Sequence, residues 1–439
     1  MGLSTLVGCV INPAFDPPAQ GSSGSESSGG TTGTEAAVDT GDSTGPSEVE
    51  LPGCAALPTP PDDAIAVTPD QAAGLPSIIA SASPGATFVL EPGRYAVDDT
   101  VLIAVDGVTL RSSTGDADDV VLDLGEGAFH GIRINASNVT LAEFTVEGGA
   151  DYQVVVSGGN VVADDALLYR MRFLDPRAAA IRANTGLEGT GADRGVLACS
   201  ELRLRDEARG DSGGCTGGGI SGYGVWDWTV RDNVFEGFWC SAGFAGAAVT
   251  FSEGAAGTRV ERNVIREATQ GIVLGIHELY EPARAPPSCG PGVYFDHVGG
   301  AVRNNAIVSV SEAMAASEVG LDTGLGLWNV CGTKAVHNTV LTAIPAFTSI
   351  EYRFPNTQAT VANNLVTHPI FDRDEAGVPS AGNLEVDLSV FVSPLQGDFH
   401  LLPGTEPVDA GVQLAEDAVD HDVDGEARDA APDVGADEL

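Results

Sequence analysis

The chain has 439 residues, with 62 Asp and Glu against 21 Lys and Arg, a formal net charge of -41, 56 Gly and 6% aromatic content. Such an acidic surface is repelled by nucleic acid and by anionic bilayers, which removes both as partners and leaves cations as counterions. No stretch beyond the N-terminus offers eighteen uninterrupted apolar residues, so no span is expected and membrane contact is limited to a lipid anchor.

The first element, residues 1–9, ends in Leu6-Val7-Gly8-Cys9. This pattern is like a bacterial lipobox, in which the Cys becomes a lipid-modified mature N-terminus. Only eight residues precede Cys9 and no basic run stands among them, so the segment reads as the remnant of a lipoprotein signal. Residues 10–52 are Gly, Ser, Thr, Pro and acid. They bury too little apolar surface to offset the entropy of ordering, and a disordered tether is expected. Without Cys9 six cysteines remain: Cys54, Cys199, Cys215, Cys240, Cys289 and Cys331. An even number suits up to three disulfides in an oxidising compartment, with the pairing open, and no CxxC spacing suggests zinc.

Order is expected from residue 53. Pro69 starts a short amphipathic helix over Asp70 to Ser81 that caps the end of a sheet, and a strand follows over Thr87 to Leu90. Then the chain repeats. Asp106-Gly107-Val108-Thr109-Leu110 returns as Ser137-Asn138-Val139-Thr140-Leu141, and later units align on Asn233, Asn263, Asn305, Asn338 and Asn364, with Phe144 and Met171 in the equivalent earlier places. Short β-type runs alternate with Gly, Asn and Asp turns, and no unit holds a helix long enough for a βαβ crossover. Units that cannot bury a face alone must stack. The reading is all-β: a single-stranded right-handed parallel β-helix over 53–395, of roughly ten coils about 4.8 Å apart, with an N-terminal capping helix and long loops. The Asn column is expected to be structural, since Asn tolerates left-handed corners and its amide can bond to the Asn above and below.

Residues 396–439 close the stack. Within them Asp420, Asp422 and Asp424 precede Gly425 with the alternating carboxylates of a calcium loop, although position 12 would be Ala431; the competing reading is a turn capped by its own Asp side chains. The runs ASPGATFVLEPGRYAV, NVTL and VxNN, and the ending Pro432-Asp433-Val434-Gly435-Ala436-Asp437-Glu438, resemble bacterial β-helix proteins of the pectin-lyase-like superfamily. The closing VDGEAR and PDVGADE are similar to the end of the choice-of-anchor Q group. That resemblance implies an extracytoplasmic protein, a cell-surface lipoprotein or a secreted one, facing carbohydrate.

Eliminative cleavage of a uronic-acid polymer needs a base for the proton beside the carboxylate and a cation for the developing charge. Lys334, the chain's one lysine, together with His337, Glu351 and Arg353, offers those types, with Trp328, Tyr352 and Asp322 as substrate contacts. Hydrolysis would need paired carboxylates, for which Asp322, Glu351 and Asp296 are available, and His277-Glu278 with Asp296-His297 could hold a cation. Trp226, Trp228, Trp239, Trp328, Tyr223 and Tyr352 could instead stack on sugars in a non-catalytic adhesin, or simply be buried. The expectation is a monomer that binds, and potentially cleaves by β-elimination, an acidic polysaccharide, with calcium the one candidate cofactor and no organic one; a passive adhesin or spacer is the alternative.

Overall fold

The computed structural model describes residues 54–439 apart from 126, 158–159, 187–188, 210–215, 279–283, 291–292 and 415–420. The candidate lipidation site Cys9 and the tether lie outside the described residues, as do Cys215 and Asp420.

Successive coils lay their strands into three sheets, of 14, 11 and 10 strands, the first sheet holding in addition Ile65–Val67, Ala255–Ala256 and His297–Val298 and the last coil lacking a third-sheet strand; every pairing in these sheets is parallel. One full coil shows the order: Tyr152–Ser157 in the third sheet, Leu167–Tyr169 in the first, Arg172–Leu174 in the second. The chain therefore winds as a right-handed parallel β-helix. In-register pairing puts like positions on top of each other. In the first sheet Phe88, Leu110, Leu141, Leu168, Leu197, Val230, Val260, Val302, Ala335 and Val361 form one continuous buried column. Burying each larger side chain contributes roughly 1.5–3 kcal/mol, which explains why short strands suffice.

The corner between the first and second sheets is fixed by the Asn column. Asn233, Asn263, Asn305 and Asn338 each donate from Nδ2 to Oδ1 of the next Asn at 2.9 Å, and Asn364 donates to Asn383 at 2.8 Å. Each of those Oδ1 atoms also accepts the backbone N–H of the preceding ladder residue. The left-handed backbone sits one residue earlier than expected, at Asp232, Arg262, Asn304, His337 and Asn363, with φ of 57°, 50°, 53°, 53° and 54°. The ladder Asn is selected for its buried amide and its neighbour makes the bend. Two jobs are thus split between adjacent residues.

The N-terminal cap is two short pieces, a 3-10 turn Pro69–Gly74 and an α-helix Leu75–Ala80, where one helix was expected. Pro76 near the α-helix start lacks an N–H, so the helix restarts there. Leu75 and Ile79 are buried in the end of the core. Two cross-links are described: Cys54 with Cys199, and Cys289 with Cys331, with Cα–Cα separations of 5.5 and 6.3 Å. Cys240 is also disulfide-bonded. The sequence left the pairing open, and the bond from Cys199 to Cys54 does not close the loop that follows Cys199. It instead straps residues 54–58 across the outer side of the first sheet, where Tyr169 Oη donates to Ala55 O at 2.7 Å. Among the described residues no helix is long and apolar enough to cross a membrane.

The last stacked strand is Leu384–Glu385, after which Phe391–Ser393 and Asp398–Leu401 form an antiparallel pair. The terminal segment folds back on the corner column: Gly435 N–H donates to Asn363 O and Ala436 N–H to Thr339 Oγ1, both at 2.9 Å. Arg428 and Glu438 make a buried pair at 2.8 Å, with side chains 3% and 6% exposed. The Arg and Glu of the closing motif therefore lock the cap rather than face a ligand.

Candidate functional site

The residues expected to act together do not form one cluster. Lys334 is half-buried on the outward side of the first sheet, in the strand Val330–Val336, in register with Ala301 and Thr360. His337 is the left-handed corner residue of the same coil and is 3% exposed. Its ring donates from Nδ1 to Asp433 O at 3.1 Å and accepts at Nε2 from Asn363 Nδ2 at 2.9 Å. Burial, with Arg428 nearby, pushes its pKa down to about 3, so it stays neutral and seats the terminal segment. Glu351 and Arg353 lie elsewhere, in Ala346–Arg353 of the third sheet.

Glu351 and Arg353 are partly neutralised by their neighbours. Glu351 is 1% exposed, and Arg373 Nη1 donates to its Oε1 at 3.1 Å. Desolvation raises its pKa while Arg373 and Arg353 oppose the rise. Arg353 lies 5.7 Å from the Trp328 ring centre and 5.0 Å from that of Phe354, with Asp374 at 3.7 Å. Asp322 accepts from Gln270 Nε2 at 2.8 Å. Tyr352 points the other way, into the core, and burial raises its pKa to about 12, which corrects its expected role as a sugar contact. Trp228 is also core and donates to Ala192 O, while Trp226 is covered by the Arg284 guanidinium at 3.3 Å.

In both expected cation sites Asp296, His297, Asp422 and Asp424 have other partners. Asp296 is fully buried and accepts the backbone N–H groups of Glu253, Ile276 and His277 and the Tyr294 hydroxyl, so it organises the 275–296 excursion. Its neighbour His297 is fully buried beside Thr258 and Thr333, with its pKa driven to about 3 by desolvation. In the calcium-like loop, Asp422 is buried and its oxygens accept from the N–H groups of Asp424, Glu426 and Glu438. The capped-turn reading holds for Asp422. Asp424 turns away to His400.

The outward side of the third sheet carries a group that the sequence reading passed over. The strands His130–Ile134, Tyr152–Ser157, Ala179–Asn184 and Ile220–Tyr223 lie side by side in register. Because inward and outward residues alternate, Ile132, Ile134, Ile181 and Ala183 fill the core while Arg133, Asn135, Arg182 and Asn184 face out. Arg182 lies 3.5 Å from the Tyr223 ring centre and 5.8 Å from that of Tyr152. Its Nε donates to Asn184 Oδ1, and Asn184 Nδ2 donates to Ser157 Oγ, which fixes the guanidinium plane. Arg133 repeats the arrangement with Asn135 at 3.1 Å. Among the described residues neither guanidinium forms an ion pair, although the Arg182 charge reaches the Asp151 carboxylate and opposes the rise in its pKa. At the rim His130 stacks near Tyr152 at 5.9 Å and its Nδ1 is 3.7 Å from Asp151. Desolvation lowers the His130 pKa and raises that of Asp151.

The signal was in the sequence. Ile132-Arg133-Ile134-Asn135 returns as Ile181-Arg182-Ala183-Asn184, two turns of the stack later. The long connections 204–219, 237–248 and 275–296 enter or leave at the ends of third-sheet strands. A separate cavity of about 310 Å³ lies at the opposite corner beside Cys54 and Cys199, lined by Arg170, Arg172 and Glu201 among others.

No protein-family model and no curated protein sequence matches this chain. Solved structures do. A pectate lyase, Pel9A, superposes with a TM-score of 0.53 at 12% identity, covering 82% of this chain and 90% of that one. A rhamnogalacturonan lyase gives 0.50 at 12% identity, covering 81% and 89%. At these identities the likeness is one of fold, a parallel β-helix over most of both chains.

Proposed function

We propose that this protein binds an acidic polysaccharide along the outward face of the third sheet, outside the cytoplasm. The observation that carries the reading is the Arg182 guanidinium between Tyr152 and Tyr223, with Arg133 beside it, in a chain of net charge -41. Planar guanidinium groups held by side-chain amides suit bidentate pairing with carboxylates, and tyrosine rings suit sugar faces. The solved β-helix structures it resembles are a pectate lyase and a rhamnogalacturonan lyase, which supports a polysaccharide ligand. The disulfides support an oxidising compartment, and attachment through Cys9 and the tether would present the face to the surroundings.

β-Elimination is the second reading, favoured by the rim. A neutral His130 beside Asp151 and Tyr152 supplies base and acid next to two cations that could hold a carboxylate. Isothermal titration of purified protein against a panel of neutral and uronate-containing polysaccharides tests binding; equal affinity for neutral and acidic chains sinks the proposal. Absorbance at ~235 nm reports an unsaturated uronate and decides between cleavage and an adhesin that binds without turnover.

A further inference from the structure

The closing segment gathers a second set of donor groups far in sequence from the third-sheet face. His400 stands on the antiparallel strand Asp398–Leu401, Asp424 on the turn that Asp422 organises, and Asp437 in the terminal run. One ligand atom from each of His400, Asp424 and Asp437 lies within 4.8 Å of the other two. We propose that these three residues form a site for one divalent transition-metal ion of the Zn²⁺ type, with Asp398 positioning the imidazole.

The first argument is the hydrogen-bond balance of the ring. His400 Nδ1 is 2.6 Å from Asp398 Oδ1, and Nε2 is 3.0 Å from Asp424 Oδ2. A neutral imidazole has one N–H and one lone pair, so it satisfies one carboxylate and sets its lone pair against the other. The arrangement needs a positive charge, either a second ring proton or a metal ion. A carboxylate on one ring nitrogen with the other directed at the ion is the usual way a ligating histidine is oriented.

A second, independent observation is Asp437. It is 5% exposed, and its one hydrogen bond among the described residues is from Leu401 N–H to Oδ2 at 2.7 Å. A buried carboxylate with a ligand atom within 4.8 Å of those of an imidazole and another carboxylate is stabilised by a cation. An imidazole nitrogen with two carboxylates matches Zn²⁺, Mn²⁺ or Co²⁺, whereas Ca²⁺ takes six to eight oxygens.

The test uses the full chain, stripped with chelator and titrated calorimetrically with Zn²⁺ in about 0.15 M salt so that surface carboxylates are screened. One equivalent should bind; H400A and D424N should lose that equivalent, and D398N should weaken it tenfold to a hundredfold. The His400 and Asp424 side chains are 43% and 50% exposed, so these variants retain the cap, and H400Q provides a second isosteric check. Asp206→Asn, an exposed acid elsewhere, should leave binding unchanged. Replacing Zn²⁺ by Co²⁺ should give a visible d–d band in the wild type that H400Q lacks. Weak multi-site binding, or one-equivalent binding that H400A and H400Q both retain, overturns the proposal.

Discussion

The third sheet is charged at both ends of its outward side, yet the two ends spend their charge differently. Toward the C-terminal end, Glu351 meets Arg373, Arg353 meets Asp374 and the rings of Trp328 and Phe354, and Asp322 takes a bond from Gln270. Toward the N-terminal end, Arg133 and Arg182 are held in place by neutral partners, Asn135, Asn184 and two tyrosines. A cation already facing a carboxylate has little left for a ligand, while one oriented by amides keeps its charge available. Reactive residue types are thus a poor guide to a site unless their partners are known.

The largest effect that would separate the ends is expected from the corner ladder beneath the later coils. Asn305→Ala strands the N–H and Nδ2 of Asn263 and removes bonds to Asn338 and Val260, at a cost of about 3 kcal/mol. Urea unfolding should show the loss, and hydrogen exchange should place it in coils from Asn233 onward, with glycan binding in earlier coils retained. Arg182→Ala should weaken acidic-polysaccharide binding by about 2 kcal/mol, roughly thirtyfold, with a small change in unfolding midpoint. Titration calorimetry reads it, and an unchanged affinity would break the contrast between the ends.

A sealed imidazole should differ in its pH dependence from one at the rim. His337 has a folded pKa of about 3, below its unfolded value near 6.5, so the unfolded chain takes up the proton first as pH falls. Its contribution is complete above pH ~6.5 and is lost as pH drops toward 3; from 6.5 to 5 the loss is about 2 kcal/mol. Asn at this position keeps the left-handed corner, so His337→Asn should flatten that part of the stability profile. The smallest effect sharpens the contrast from the other side. Arg353→Ala should change polysaccharide affinity by less than ~0.5 kcal/mol, because its charge is already shared with Asp374 and the Trp328 ring.

Repetition made the fold legible. A unit that returns on Asn233, Asn263, Asn305, Asn338 and Asn364 leaves few architectures other than a stack, and the ladder amides pair as their spacing implies. The backbone role assigned to those Asn residues was displaced by one position, since a left-handed corner and a buried amide ladder are both compatible with Asn and only the folded backbone separates them. The site was less legible. Lys334, His337, Glu351 and Arg353 stand close in sequence, but one coil visits three sheets, so residues a few positions apart face different directions. The face with Arg133 and Arg182 is assembled from strands whose residues lie about fifty positions apart, and it announced itself only through the Ile-Arg-x-Asn phrase.

By itself the sequence determined the repeating coil, its buried aliphatic columns and its amide ladder, because these follow from local alternation and from the identity of each repeated residue. Which charges remain available was decided by tertiary structure alone. The neutralising partner of a side chain sits a full coil away or, for His337 and His400, in the returning C-terminal segment, and no spacing along the chain records that proximity.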